Sequence, residues 1–177
     1  VVFVGYGIHA PEQDWDDFKG VDVKGKVLLV MNNDPSSDPK LFAGQTRLYY
    51  GRWSYKFEEA ARRGAAGAIV IHTTRSAGYP FQVIQNGHGR EDFWLPITKG
   101  QAVMPIRSWC SEEAAKKIAK LAGKDLDALR AAAEKRSFKP VPLGVKADLS
   151  TNNTVRKILS ANVLGKLEGT DPALKKE

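Results

Sequence analysis

Between Lys26 and His72 the chain reads as strand, helix, glycine turn, strand, and this unit restricts the fold more than any other stretch. Lys26–Asn32 contains Val27-Leu28-Leu29-Val30-Met31, an unbroken apolar run of strand length. Such a run predicts a strand covered on both faces. Ser54 stands as a cap before an amphipathic stretch that reaches Arg63, with Phe57, Ala60 and Ala61 on one stripe and Gly64 as its stop. Ala68–His72 is a second apolar strand. Strands joined through a helix run parallel, so a βαβ crossover is expected. The small residues Ala60, Ala61, Gly64, Ala65, Ala66 and Gly67 let that helix lie close to the sheet.

The flanking sequence adds strands and helices around this unit. Val1–Tyr6 is β-rich, and Met104–Trp109 reads as a short strand. Ser111 caps a helix with Glu112 and Glu113 in its first turn, Lys116, Lys117 and Lys120 further on, and Gly123 past its end. That charge order suits the helix dipole. Asp125 caps another helix reaching about Arg136, and the two are expected to form a peripheral layer. Leu143–Ser150 and Thr154–Leu167 read as extended, with a turn at Asn152-Asn153. The class expected is α+β.

Several motifs invite a chemical reading. Gly5-Tyr6-Gly7-Ile8-His9-Ala10 matches a dinucleotide fingerprint, and a free-standing α/β nucleotide-binding enzyme using Gly5–Ala10 is the alternative it raises. That site needs a helix N-terminus at the second glycine. Pro11 and the turn-rich stretch to Gly20 leave no room for one before Lys26. His9, His72, His88 and Cys110 have no metal-ligand spacing, so no metal site and no cofactor are expected in this chain. Cys110 precedes a helix, which would activate an exposed thiol, but Trp109 beside it suggests a packed junction. No catalytic residue is assigned.

Thr73–Lys99 is long, aromatic and glycine-containing, with a hairpin-type turn expected at Asn86-Gly87. Tyr79, Phe81, Phe93 and Trp94 are its candidate peptide or protein contacts.

The net charge of +7 could suggest nucleic acid. The excess lies mostly between Glu112 and Lys146, where nine basic residues alternate with five acidic ones along two helices without aromatic platforms. A solvated helical surface is expected there, and no nucleic-acid partner. No apolar run is long enough for a transmembrane helix, so no membrane insertion is expected. The chain opens Val1-Val2-Phe3-Val4 and stops at Lys175-Lys176-Glu177, and a piece of a longer protein is expected.

Three ordered blocks resemble a known family. Val2-Phe3-Val4-Gly5-Tyr6-Gly7-Ile8, followed by Asp14 through Val27, resembles the start of the protease-associated domain of zinc aminopeptidases. Tyr55-Lys56-Phe57-Glu58-Glu59-Ala60-Ala61-Arg62-Arg63-Gly64-Ala65-Ala66-Gly67 does so too. Ser160-Ala161-Asn162-Val163-Leu164-Gly165-Lys166-Leu167 through Pro172 is similar to the segment leading back into the peptidase domain. These are the di-zinc exopeptidases related to aminopeptidase Y and glutamate carboxypeptidase. The resemblance implies a protease-associated domain over residues 1–150, a small β-sandwich or open barrel flanked by short helices, and a return segment over 151–177. It implies a non-catalytic role in substrate access or in docking peptide or protein substrates. The implied partner is the peptidase domain of the same polypeptide, which is absent here and would carry the zinc. The implied location is secreted, periplasmic or in the cell envelope.

Overall fold

Alternation along three strands builds the molecule from its middle outward. The computed structural model describes residues 1–44 and 46–174. In β4 (Val27–Met31), Leu29 points into one core while Leu28 and Val30 point into another. In β5 (Gly67–His72), Ile69 and Ile71 share the first core, and Ala68 and Val70 the second. In β1 (Val2–Phe3), Phe3 and Val2 divide the same way. Successive side chains leave opposite faces of a strand, so each all-apolar run feeds two cores.

Parallel pairing joins β1 to β4, β4 to β5, and β5 to β6 (Arg107–Ser111). β7 (Val141–Pro142) adds an antiparallel edge to β1, giving the order β6-β5-β4-β1-β7. A separate two-stranded ribbon pairs β2 (His9–Ala10) with β3 (Trp15–Asp16). The class is α+β, with a mixed five-stranded sheet and helices on both faces. The expected crossover is present: α1 (Trp53–Arg62) joins β4 to β5 and places Phe57 and Ala60 in the second core.

Two boundaries differ from expectation for physical reasons. Helix α1 begins at Trp53, and its N-cap is Arg52 without a side-chain cap bond, so Ser54 lies inside the first turn. A 3-10 turn over Tyr49–Gly51 leads into that start, and Trp53 packs edge-on against Phe57 and Trp109. The last parallel strand runs Arg107–Ser111, and Met104 before it is a buried member of the second core.

The stretch after β5 is more helical than its sequence suggests. Thr73 closes a reciprocal capping box with Ser76 at α2 (Thr74–Ala77). Asn86-Gly87 forms no hairpin turn but lies in α3 (Phe81–His88). Pro80 presets the entry to that helix, and the Gln82 amide donates to Asn86 Oδ1 at 2.9 Å one turn later.

Helices α4 (Glu112–Leu121) and α5 (Leu126–Ala133) start at the expected caps, with Ser111 Oγ and Asp125 Oδ1 accepting from Ala114 N and Ala128 N. They are not a peripheral layer. Ala115, Ala119, Leu126, Leu129 and Ala133 are buried in the first core with Phe3, Leu29 and Ile69. Alanines on the buried stripe let both helices approach the sheet.

The chain divides into two compact units, Val1–Ala147 and Asp148–Glu177. Everything above belongs to the first. In the second, residues 148–169 form no helix or strand. Val155, Leu159, Val163, Leu164 and Leu167 along it are almost fully exposed.

Candidate functional site

The dinucleotide-like motif forms a turn and a strand end instead of a helix start. Gly5 and Gly7 have φ of 58° and 60°, and Gly7 N donates to Val4 O at 2.8 Å. A Cβ on Gly5 would lie 2.9 Å from the Phe138 ring. Ala10 is followed by a 3-10 turn over Pro11–Gln13, so no helix N-terminus faces the glycines. Their role is left-handed backbone and close approach.

The four candidate contacts separate into two pairs. Tyr79 and Phe81 pack on the buried imidazole of His72, with ring centroids 5.3 and 5.5 Å away. Phe93 and Trp94 are exposed, and Trp94 carries the Arg107 guanidinium 4.0 Å above its ring. Among the described residues, neither Phe93 nor Trp94 has a ring contact with the His72 cluster.

The potential soft ligands are dispersed. His9 faces Asp16 at 3.6 Å, His88 lies against Trp53, and His72 sits among aromatic rings. Cys110 lies within β6, where burial pushes its thiol up to about 12 and keeps it protonated. Among the described residues, no group of three or more His, Cys, Asp or Glu could hold a metal ion.

Burial of His72 holds its imidazole below its ordinary pKa, and Nε2 has no hydrogen-bond partner. The unfolded chain then binds more protons below pH 6.5, so His72 costs stability as pH falls through that value toward the folded pKa. His72→Phe is expected to flatten this dependence. Urea midpoints between pH 7.5 and 5, compared with the parent, check it; parallel curves would refute it.

Sequence reading missed a buried polar cluster centred on α1. Lys56 is fully enclosed, and its Nζ donates to Tyr50 O at 2.7 Å. Burial pulls the ammonium down from its usual range, while the charges of Asp17 and Asp34 hold it up. Asp17 accepts from Ile8 N at 3.0 Å and Trp15 Nε1 at 2.9 Å, and burial pushes its carboxyl up. Tyr6 donates to Glu134, whose other carboxylate oxygen accepts from Ser36 N and Ser37 N.

Beside this cluster a cleft of about 840 Å³ opens beyond the carboxyl ends of the parallel strands. Asn32, Asn33 and Asp34 enter it from the end of β4, Thr73 and Thr74 from β5, and Glu112 from β6. Arg130 and Glu134 close it from α5 and its C-cap. Open parallel sheets bind ligands at this edge, because strand ends there deliver polar loop residues from a rigid frame. Asn33, Asp34 and Arg130 line it, and their Oδ1, Oδ2 and Nη2 atoms are buried without hydrogen-bond partners. The legible signal was the switch from Val27–Met31 to Asn32-Asn33-Asp34-Pro35, polar residues directly after a buried strand.

No protein-family model matches the chain, and no curated protein or solved structure does either.

Proposed function

We propose that this chain is the non-catalytic, protease-associated domain of a zinc aminopeptidase-like metallopeptidase, governing substrate access or docking. What supports this is how the resembling blocks meet. The first supplies Tyr6 and Asp17, and the second supplies Lys56, so residues 11 to 50 positions apart converge on one buried cluster. Such a cluster ties the first two blocks into one folding unit. The protease-associated form of the α+β fold belongs to the same proposal.

The partner is the peptidase domain of the same polypeptide, which brings the zinc. Val155, Leu159, Val163, Leu164 and Leu167 are the apolar groups on the return segment that it would cover. Phe93 and Trp94 are the exposed aromatics free to meet peptide or protein substrates. A secreted, periplasmic or cell-envelope location follows from the same reading.

The test compares this chain with one extended about 250 residues past Glu177, a typical large-domain length. Only the longer chain is expected to hold zinc and release amino-terminal residues. Changing Phe93 and Trp94 to Ser in it should alter peptide-length preference and spare hydrolysis of a small amino-acyl amide. Zinc binding or turnover by the present chain alone would overturn the reading, as would unchanged length preference for the access role.

A further inference from the structure

We propose that the outer edge of β6 receives an extended peptide as an added strand, with an acidic side chain of that peptide set beside Arg107. The inference stands on this edge alone and does not depend on the accessory-domain reading.

β6 ends the sheet on one side, with β5 as its neighbour. Ala68 N donates to Ile106 O at 3.0 Å, and the register sets Ala68 beside Arg107 and Val70 beside Trp109. Main-chain groups alternate in direction along a strand. Ile106, Ser108 and Cys110 therefore bond β5, while Arg107 and Trp109 turn their N–H and C=O outward. Among the described residues, no other main-chain group bonds these outward groups, and the Trp109 carbonyl accepts only from Ser108 Oγ at 3.5 Å. Arg107 is exposed and residues 108–111 are half-buried.

The two edges of the sheet are built differently. β7 has two residues, one of them Pro142, which has no N–H to offer. β6 has five residues and no proline. A row of unpaired main-chain groups is a template for a further strand, and extended peptides dock on such edges.

Side chains along the edge select what docks. Arg107 and Trp109 are two positions apart and so share one face of the sheet, the face on which Trp109 packs against the second core. The Arg107 guanidinium rests 4.0 Å over the Trp94 ring, and among the described residues no carboxylate pairs with it. Trp53 is 41% exposed and stands edge-on to Trp109, with ring centroids 6.1 Å apart. An added strand would thus set one side chain beside a free cation and another, two residues away, beside two indoles. A carboxylate suits the first place and an apolar group the second. A second copy of β6 fits less well. Antiparallel pairing about Trp109 sets Arg107 opposite Ser111, which supplies no carboxylate.

The experiment follows tryptophan fluorescence of the whole chain during titration with two capped peptides, Thr-Thr-Glu-Thr-Leu-Thr-Thr and Thr-Thr-Leu-Thr-Glu-Thr-Thr, one for each strand direction. One of them is expected to bind with a Kd at or below about 0.1 mM. Replacing its Glu by Gln should weaken binding about tenfold. Arg107→Glu should lose that peptide and bind the version with Lys in place of Glu. If this variant does not fold, peptides methylated on alternate main-chain nitrogens decide on the parent chain. A strand added to one edge uses one alternate set of N–H groups, so methylating that set should abolish binding and methylating the other should spare it. No binding of either peptide, equal binding of the Gln form, a failed charge swap in a folded variant, or equal effects of the two methylated sets would each overturn the proposal. So would a dimer of the chain that the peptide does not dissociate. None of these outcomes involves zinc or peptidase activity, so the accessory role is tested separately.

Discussion

Lys56→Ala is expected to destabilise the first unit by about 3–5 kcal/mol, the usual cost of removing one member of a buried charged group. The ammonium is enclosed on α1, and the charges that act on it are those of Asp17 and Asp34, both themselves buried. Its bond to Tyr50 O anchors the 3-10 turn that leads into the helix. Truncation leaves that carbonyl unpaired and leaves Asp17 and Asp34 without their compensating charge. The triple variant Lys56→Met with Asp17→Asn and Asp34→Asn removes all three charges together and should recover most of the loss. Buried ion groups replaced as a set are often close to neutral, because desolvation offsets their attraction. Urea unfolding at pH 7 of both variants checks the pair of outcomes. A loss below about 1 kcal/mol for Lys56→Ala would mean that the cluster contributes little net charge interaction.

This same residue shows what sequence alone conceals. In Tyr55-Lys56-Phe57-Glu58-Glu59 a lysine reads as solvated helix surface, and Phe57, Ala60 and Ala61 define the obvious apolar stripe. The carboxyl groups whose charges act on the buried Lys56, those of Asp17 and Asp34, stand about forty and about twenty positions away in sequence. The βαβ unit was legible because its signals are local: an apolar run, a 3.6-residue stripe and a stop glycine. The caps Ser111 and Asp125 were legible for the same reason.

Helix α3 was hidden by Asn86-Gly87, a dipeptide whose preference for a hairpin is real but yields where Pro80 starts a helix and Ile84 buries against the fold. The candidate contacts were half legible. Tyr79 and Phe81 turn inward on His72, a histidine that the sequence shows only as the end of an apolar strand. The cleft was legible only on one side, in the polar residues after β4, because Arg130 and Glu134 on its other side follow nearly a hundred residues later.

Phe3→Ala is the other change expected to have a large effect, again about 3–5 kcal/mol, as for a fully buried aromatic truncated in a packed core. β1 is only two residues long, yet it lies between β4 and β7 in the sheet. Phe3 is completely enclosed in the first core and meets Phe138 edge-to-face with centroids 5.8 Å apart. The cavity cannot close cheaply. Phe138 packs over the Gly5 turn so closely that a Cβ there would lie 2.9 Å from its ring, and a shift of the ring into the gap would give up that packing. β1 would also lose the side chain that couples its ladder to Leu29 and to the stripes of α4 and α5. Leu121→Ala on the exposed face of α4 is the control and should change stability by less than about 0.5 kcal/mol. Small domains hold only about 5–15 kcal/mol in total, so Phe3→Ala should consume a large share of the margin. The urea midpoint should fall at an unchanged m-value, whereas a Phe3→Ala loss no greater than that of Leu121→Ala would show that β1 is not held by its buried ring.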